Sequence, residues 1–285
     1  MKPIASVPPL GRKGDGLRCA QTTPPATCLQ AFKTMPYTPQ DRAAIFKKIH
    51  ASPGMQVFGR KKQRSFFLNI FVMNKIELQN DLTITSDPTV GLQLMSEEYR
   101  EAGRQVHREV NRRFHNFLAA AKTLIDHTRV FMSDHYDKTD LHARYLERVE
   151  RDFAEDELCR FMQDLRNYTL HYELPISTMN FQYSRDGGIK TGVYIINKEL
   201  QKWKNWSRLG AAYLQKQQKE ISPLSTVNDY SEKIEPFHSW LDTTIHLYHS
   251  DDMAEFIALQ EEFIRINAAL SPDLTPKQDE QITGL

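Results

Sequence analysis

The chain is poor in the residues and patterns that mark several classes of protein. Only three of its 285 residues are cysteines, and such a sparse, odd number does not fit a disulfide framework, so we expect reduced thiols in a cytoplasmic protein. Cys19 and Cys28 have no second pair of Cys or His residues nearby at zinc spacing, so they predict no metal site. The sequence also contains neither a phosphate-binding glycine loop nor a G-x-S-x-G nucleophile elbow.

Long apolar runs and an excess of one charge are missing as well. The longest apolar stretch, near Ser65–Met73, is far too short to span a membrane, and Lys2 is not followed by the apolar run of a secretory signal. The net charge is +1, so an RNA contact would need a local basic patch rather than an overall basic field. With 40% hydrophobic and 26% charged residues, the chain can build a normal core. We expect a soluble protein with no membrane association.

Composition divides the chain into four parts. Residues 1–40 are rich in Pro, Thr, Gly and Ala, and we expect them to be disordered. Residues 41–95 are an extension of uncertain structure, within which Phe66–Thr85 is rich in β-forming residues and predicts a small hairpin. Residues 96–270 are expected to form the main helical domain, and residues 271–285 a polar tail.

Periodic apolar residues predict a mainly α fold. Apolar residues at three- and four-residue intervals predict a long helix from Ser96 to about His135. This helix would have an apolar stripe that other helices must cover. A shorter helix is expected to begin after Thr38, which has the residue type of a helix cap. Alternating residues around an Asp-Gly-Gly turn predict a β-hairpin at about residues 178–197. Together these patterns indicate a helical bundle with a β-hairpin inserted after its central helix.

Two polar clusters leave alternatives open. The basic cluster Arg60–Arg64, with the sequence RKKQR, is expected to be a solvated loop, and a phosphate-binding patch is the alternative. His246 and His249 are followed by Asp251 and Asp252, which is compatible with a metal site. Histidines three residues apart are common on helices, however, so a chance arrangement is the simpler interpretation.

The segment Leu158–Pro175 is the only one whose residue types and spacing suggest a chemistry; it reads LCRFMQDLRNYTLHYELP. On a helical wheel, Asn167 and His171 lie on a polar side, with Arg166 at its edge. The opposite side is an apolar stripe expected to face the core, made of Leu158, Phe161, Met162, Leu165, Thr169 and Tyr172. The polar residues are therefore not needed for the core, although such a face is ordinary on a solvated helix.

Arg166 and His171 have the chemistry to act on a phosphodiester. A histidine can serve as general acid or base near neutral pH, and the helix end favours its protonated form. An arginine offers a fixed charge and a fork of donors that can stabilise a phosphorane during RNA cleavage without a metal. On an ideal helix the two residues lie about 140° apart. Their convergence would need the reach of the arginine, a loosened helix end before Pro175, or a partner subunit.

The arrangement of Arg166, Asn167 and His171 resembles the motif of the HEPN superfamily (higher eukaryotes and prokaryotes nucleotide-binding). Ribonucleases of that superfamily carry R-x4-6-H near the end of a helix in an α-helical bundle. The stretch RNYTLHYELPIS is similar to a group of bacterial HEPN-like proteins, and FHNFLAAAKTLIDHTR resembles the preceding helix of that group. The resemblance covers about Ser96–Ala269.

This resemblance implies a metal-independent endoribonuclease without a cofactor. Arg166, Asn167 and His171 would be its catalytic residues, in a composite site formed by a homodimer. Many such proteins are toxins or act in abortive infection against phage, under an antitoxin or another regulatory protein. One branch has a modified tyrosine two residues after the histidine, and Glu173 occupies that position here. Other members only bind or dimerise, so the alternative is a catalytically inactive helical module that binds nucleic acid or a partner protein.

Overall fold

The computed structural model describes residues 37–185 and 188–270, and within them the chain forms ten α-helices and three β-strands. The helices are α1 (Pro39–Ala51), α2 (Pro53–Ser86), α3 (Pro88–Met95), α4 (Arg100–Tyr136), α5 (Asp140–Phe153), α6 (Glu157–His171), α7 (Asn197–Leu200), α8 (Arg208–Lys216), α9 (Pro223–Tyr248) and α10 (Ser250–Leu270). The strands are β1 (Ser177–Ser184), β2 (Gly188–Ile196) and β3 (Glu220–Ile221). The predicted mainly α fold with a β-hairpin is confirmed. The expectations for residues 1–36 and 271–285 lie outside the described residues.

Local signals fix the beginnings of the helices that the sequence predicted well. At α1, the hydroxyl of Thr38 accepts a hydrogen bond from the amide of Asp41 at 3.2 Å, and the Asp41 carboxylate accepts one from the Thr38 amide at 2.8 Å. This reciprocal capping box starts the helix where it was predicted. The long predicted helix is confirmed as α4, and α9 continues through Pro236 as one helix.

The hairpin predicted for Phe66–Thr85 is wrong, because this segment lies within α2. Phe71, Leu78 and Leu82 are spaced by seven and four residues, so a helix places them on one face, and all three are buried. The segment's many β-branched and aromatic residues gave the misleading signal, since strand propensity is weak against tertiary packing. The Arg60–Arg64 cluster is also part of α2 rather than a loop, and Arg64 points into the protein.

One core joins the helices on both sides of residue 96. Phe71 and Leu78 of α2 belong to the same buried cluster as Phe117 of α4 and Leu165 of α6, and α2 packs along α4. A second cluster joins α4, α5 and α9, and a third joins α1, α2 and α10. The residues 41–95 therefore share their core with the helical domain predicted to begin at residue 96.

The predicted hairpin after α6 is confirmed and forms part of a small antiparallel sheet. Strand β1 pairs with β2, from Ser177 opposite Ile195 to Ser184 opposite Gly188, and β3 pairs with the other side of β2. Two residues of the predicted turn, 186 and 187, lie outside the described part. The hydroxyl of Thr191 anchors the sheet on the neighbouring helices by donating to backbone carbonyls at the end of α2. Across residues 37–185 and 188–270, no helix has the length and hydropathy needed to cross a membrane.

Candidate functional site

Helix α6 carries the three predicted site residues, and local signals set both of its ends. The Asp156 side chain caps it by accepting a hydrogen bond from the amide of Cys159 at 2.8 Å. At the other end, the amides of Tyr172 and Glu173 both donate to the carbonyl of Tyr168, at 2.9 and 3.1 Å. The chain stays helical up to His171. The helix therefore does not loosen within the motif, which removes one of the three routes by which Arg166 and His171 could converge.

The inner face of α6 packs into the main core, with one difference from the helical wheel. Leu158 and Leu165 are buried as predicted, but Tyr172 is 58% exposed and Tyr168 is buried instead. Tyr172 was wrongly placed because the helix ends one residue before it, so its backbone no longer follows the 100° rotation. The ring of Tyr168 packs against two tryptophans of the segment between α7 and α8, Trp203 and Trp206.

Asp164 joins α6 to the start of α8. Its carboxylate is buried and accepts two hydrogen bonds from Ser207, from the amide at 2.9 Å and from the hydroxyl at 2.6 Å. Ser207 in turn caps α8 by accepting a hydrogen bond from the amide of Gly210 at 3.2 Å. These hydrogen bonds hold α6 against the start of α8.

Arg166 is half-buried and leans towards α4. Its Nη1 atom donates a hydrogen bond to Oδ1 of Asn167 at 3.2 Å. Its Nε atom is buried and has no hydrogen-bond partner among the described residues. The side chain borders a narrow crevice together with Lys122 and Ile125 of α4. The structure therefore brings Arg166 and Asn167 together and leaves the Nε–H of Arg166 without an acceptor among the described residues.

His171 and Asn167 are exposed at the end of α6. Within the part of the chain that the structure describes, no hydrogen bond joins His171 to Arg166 or to Asn167. The structure thus keeps the histidine apart from the arginine in one chain, as expected for two residues about 140° apart on a regular helix.

A groove of about 500 Å³ runs beside the end of α6. Thr169 and Leu174 form one wall, and the other wall belongs to α4 and includes Arg108, Arg112 and His115. These three α4 residues are spaced by four and three positions, so a helix presents them on one face. Sequence reasoning missed them, although this spacing is a signal that could have found them.

Acidic neighbours partly balance the arginines of this groove. Arg108 donates to Glu101 at 3.1 Å, and Arg112 donates to Glu109 at 2.9 Å. Hydrogen bonds from Arg112 and then from Arg113 lower the pKa of Glu109 to about 2, so its carboxylate is ionised at neutral pH. Such exposed pairs are weak, so a phosphate could displace the carboxylates from the guanidinium groups.

A hydrogen-bonded group of three polar residues lies at one end of the groove. Nε2 of His107 is 2.9 Å from the hydroxyl of Ser177, which donates to Oδ1 of Asn111 at 2.9 Å. Burial lowers the pKa of His107, and a hydrogen bond with the Ser177 backbone partly offsets this effect, so the ring is mainly neutral at pH 7. The group ties the start of β1 to α4. No local pattern predicts it, because its members are far apart in sequence.

The metal alternative at the end of α9 has no support from the described residues. Among them, no three His, Cys, Asp or Glu side chains are close enough to hold a metal ion. His249 instead makes two hydrogen bonds, from Nδ1 to Asp252 at 2.9 Å and from Nε2 to the hydroxyl of Tyr136 at 3.2 Å. These bonds tie the junction of α9 and α10 to the end of α4, which is a structural role.

Comparisons with known proteins give no functional information, so the functional conclusion depends on the geometry of the site. That geometry consists of an exposed histidine, a half-buried arginine held by an asparagine, and a groove with two further arginines. No family model, no curated protein and no solved structure matches the chain.

Proposed function

We propose that the protein is a metal-independent endoribonuclease of the HEPN type, with Arg166, Asn167 and His171 as its catalytic residues. One observation supports this proposal above the others. Asn167 and His171 are exposed on α6, and a groove of about 500 Å³ that contains Arg108 and Arg112 lies near the end of the same helix, at Thr169 and Leu174. An exposed general acid or base, a fixed cation and further phosphate-binding groups are what cleavage of RNA without a metal requires.

The proposed site is formed by two copies of the chain. Because Arg166 and His171 share no hydrogen bond in one chain, each phosphate would be held by Arg166 of one copy and attacked with the help of His171 of the other. Leu170 and Leu174 are 39% and 54% exposed, and they supply an apolar contact for such a homodimer. Asn167 positions the guanidinium through its 3.2 Å hydrogen bond.

In the proposed reaction, one histidine takes the proton of the 2′-hydroxyl as general base. The 2′-oxygen then bonds to phosphorus while the bond from phosphorus to the 5′-oxygen breaks, and the histidine, now protonated, gives its proton to the 5′-oxygen. The guanidinium of Arg166 stabilises the charge that develops on the phosphorane oxygens. A ribonuclease of this kind would act in the cytoplasm as a toxin or as an effector against phage, and an antitoxin or another protein would restrain it.

Cleavage of RNA by the purified protein in EDTA tests the proposal. We expect Arg166→Ala and His171→Ala to lose at least about 100-fold in rate, the usual contribution of an acid–base or charge-stabilising group. Arg42→Ala and His50→Ala are matched controls, because both side chains are exposed on α1, away from α6. Circular dichroism checks that each variant is folded. Folded Arg166 and His171 variants with full activity would reject the assignment.

Mixing the two inactive variants tests the composite site. In a heterodimer, the Arg166→Ala chain still supplies His171 and the His171→Ala chain still supplies Arg166, so one of the two sites is intact. With free exchange of subunits, about half the dimers are heterodimers, and we expect roughly a quarter of the wild-type activity. Inactive single variants that regain no activity on mixing would place each site within one chain.

A catalytically inactive module that binds RNA is the second candidate. The observation in its favour is that the arginine and histidine do not meet in one chain, whereas the groove arginines lie together. This function predicts that RNA is retained without cleavage and that Arg108→Gln and Arg112→Gln each lower the salt dependence of binding. Expression in cells separates the two functions, because growth arrest that His171→Ala relieves requires catalysis.

A further inference from the structure

A buried arginine outside the proposed active site has an incomplete set of partners. Arg64 of α2 is 3% exposed and forms an ion pair with Asp242 of α9. Its Nη1 atom donates to Nδ1 of His238 at 2.9 Å, and its Nη2 atom donates to the His238 carbonyl at 3.3 Å. Its Nε atom is also buried but has no partner in the described part of the chain. Buried polar groups in native proteins nearly always have a partner, so this donor calls for one.

A second unpartnered group lies at the same place. Thr128 of α4 is 3% exposed, and its hydroxyl is buried without a hydrogen-bond partner among the residues described. Arg64 and Thr128 both line one cavity of about 190 Å³ between α2 and α4. Two donors without partners therefore border the same space. We name this space the Arg64 cavity, and its main lining residues are Arg64, Phe67, His127, Thr128, Phe131 and Asp134.

Aromatic rings and polar side chains line the rest of the Arg64 cavity. The rings of Phe67 and His127 stack on each other, with centroids 3.7 Å apart, and Phe131 lies on another wall. Thr128 also borders a neighbouring apolar cavity of about 100 Å³. Gln63 is exposed at the surface and lines the Arg64 cavity, so the space is reachable from solvent. The site thus combines unpartnered hydrogen-bond donors with aromatic rings, as small-molecule sites do.

The charges around the cavity favour an anionic acceptor beside Arg64 and Thr128. The carboxylate of Asp242 pairs with Nη2 of Arg64, and the buried Nε–H of this cavity-lining residue has no partner among the described residues. The positive charge of Arg60 acts here too, since burial and then Arg60 lower the pKa of His135 in the cavity wall. Asp134 is the one acidic residue lining the cavity within the described part. A hydrogen bond from a guanidinium is strongest to an ionised oxygen.

We propose that the Arg64 cavity binds a small carboxylate with a flat apolar body. One carboxylate oxygen accepts hydrogen bonds from Nε of Arg64 and from the hydroxyl of Thr128, and the body lies between the Phe67–His127 pair and Phe131. The volume limits the size of the ligand, because an apolar cavity of about 150 Å³ holds one benzene molecule. A benzoate-sized molecule therefore fits, whereas a nucleotide does not. The site is independent of the proposed ribonuclease activity.

Calorimetric titration of the full chain with benzoate at pH 7 tests the proposal. We expect one saturable site per chain and about tenfold weaker binding of benzyl alcohol, which has a similar body but no negative charge. Inorganic phosphate is the second comparison, and it should not compete because it lacks the apolar body. Absence of saturable benzoate binding would mean that the cavity holds only water, and equal binding of benzyl alcohol or competition by phosphate would also overturn the proposal.

Substitutions in the cavity locate the binding site. Thr128→Val keeps the shape of the side chain and removes the hydroxyl, so it should weaken benzoate binding by roughly 3- to 10-fold, the value of one hydrogen bond. Thr244→Val is the matched control, because Thr244 is also buried on a helix but does not line the cavity. Arg64→Lys keeps the charge and removes Nε–H. If that variant does not fold, Thr128→Val decides alone, and wild-type affinity in Thr128→Val would overturn the assignment.

Discussion

At the scale of single residues, His238 shows most clearly how burial controls protonation. It is 2% exposed, and its Nδ1 atom accepts a hydrogen bond from Arg64. Because an arginine can only donate, the ring must be neutral, with its proton on Nε2. Burial and then the charge of Arg64 lower the pKa of His238 to about 3. The folded protein therefore resists a protonation that the unfolded chain accepts freely.

This difference predicts that stability falls in mild acid. Above the ordinary histidine pKa, near 6.5, the contribution of His238 is fully present. As the pH falls from there towards 3, only the unfolded chain binds the proton, and the free energy of unfolding drops by up to about 1.4 kcal/mol per pH unit. Urea unfolding between pH 7 and 4.5 measures this slope. His238→Asn can still accept the hydrogen bond from Arg64 but cannot titrate, so its slope should be shallower.

The control for this prediction is His50→Asn, which removes an exposed histidine on α1. The half-buried His107 and the exposed His135, whose pKa values desolvation also lowers, are common to all three proteins. Their contribution therefore cancels in the comparison. Parallel stability curves for the wild type and His238→Asn would show that His238 is protonated equally in the folded and unfolded states.

The sequence predicted the exposure of single residues correctly where that exposure depends on one helix alone. Asn167 and His171 lie outside the core as the helical wheel predicted, because their positions depend only on α6. The contacts of Arg64 could not be predicted, since its partners lie on α9, more than 170 residues away. The same holds for the hydrogen bonds between His107 and Ser177, which depend on how the hairpin meets α4.

At the scale of elements, the attachment of α6 to α8 depends on one carboxylate. Asp164→Ala would leave the amide and hydroxyl of Ser207 without their acceptor at the start of α8. We expect a loss of about 2–3 kcal/mol in the free energy of unfolding, because two hydrogen bonds to a charged group disappear in a partly buried place. Urea unfolding gives this value. Asp229→Ala is the control, because Asp229 is exposed on α9, and it should change stability by less than about 0.5 kcal/mol. An equal effect of the two substitutions would contradict this role of Asp164.

The elements that sequence predicted well have strong local signals, and α2 does not. Asp156 caps α6 and Pro175 follows it, so the helix could be delimited from residue types alone. The hairpin was found from its turn residues and alternating strands. In α2, many of the residues Phe66–Thr85 are of types that favour strands, although the segment is helical. Only burial against α4, α6 and α9 decides between the two structures there, and burial is a property of the whole fold.

At the scale of the whole molecule, the division at residue 96 can be tested by removing what precedes it. Phe71, Leu78 and Leu82 of α2 are at most 1% exposed in the main core, where Phe71 lies 5.4 Å from the ring of Phe117 on α4. Without α2, Phe117 and its neighbours would face water. Each large apolar side chain that loses its burial costs about 1.5–3 kcal/mol, so the loss of several on both helices is comparable with the roughly 5–15 kcal/mol by which a domain is stable.

We therefore expect a chain of residues 96–270 to lose cooperative unfolding, whereas a chain of residues 37–270 keeps it. Thermal and urea unfolding followed by circular dichroism distinguish the two chains, and binding of a hydrophobic dye should be strong only for the shorter one. The longer chain controls for the loss of residues outside 37–270. A cooperative transition in the shorter chain would mean that α4, α6 and α9 form a core without α2. The walls of the groove belong to α4 and to the end of α6 and the residues after it. Without α2 these helices would not keep their relative positions, so the same truncation should also remove RNA cleavage.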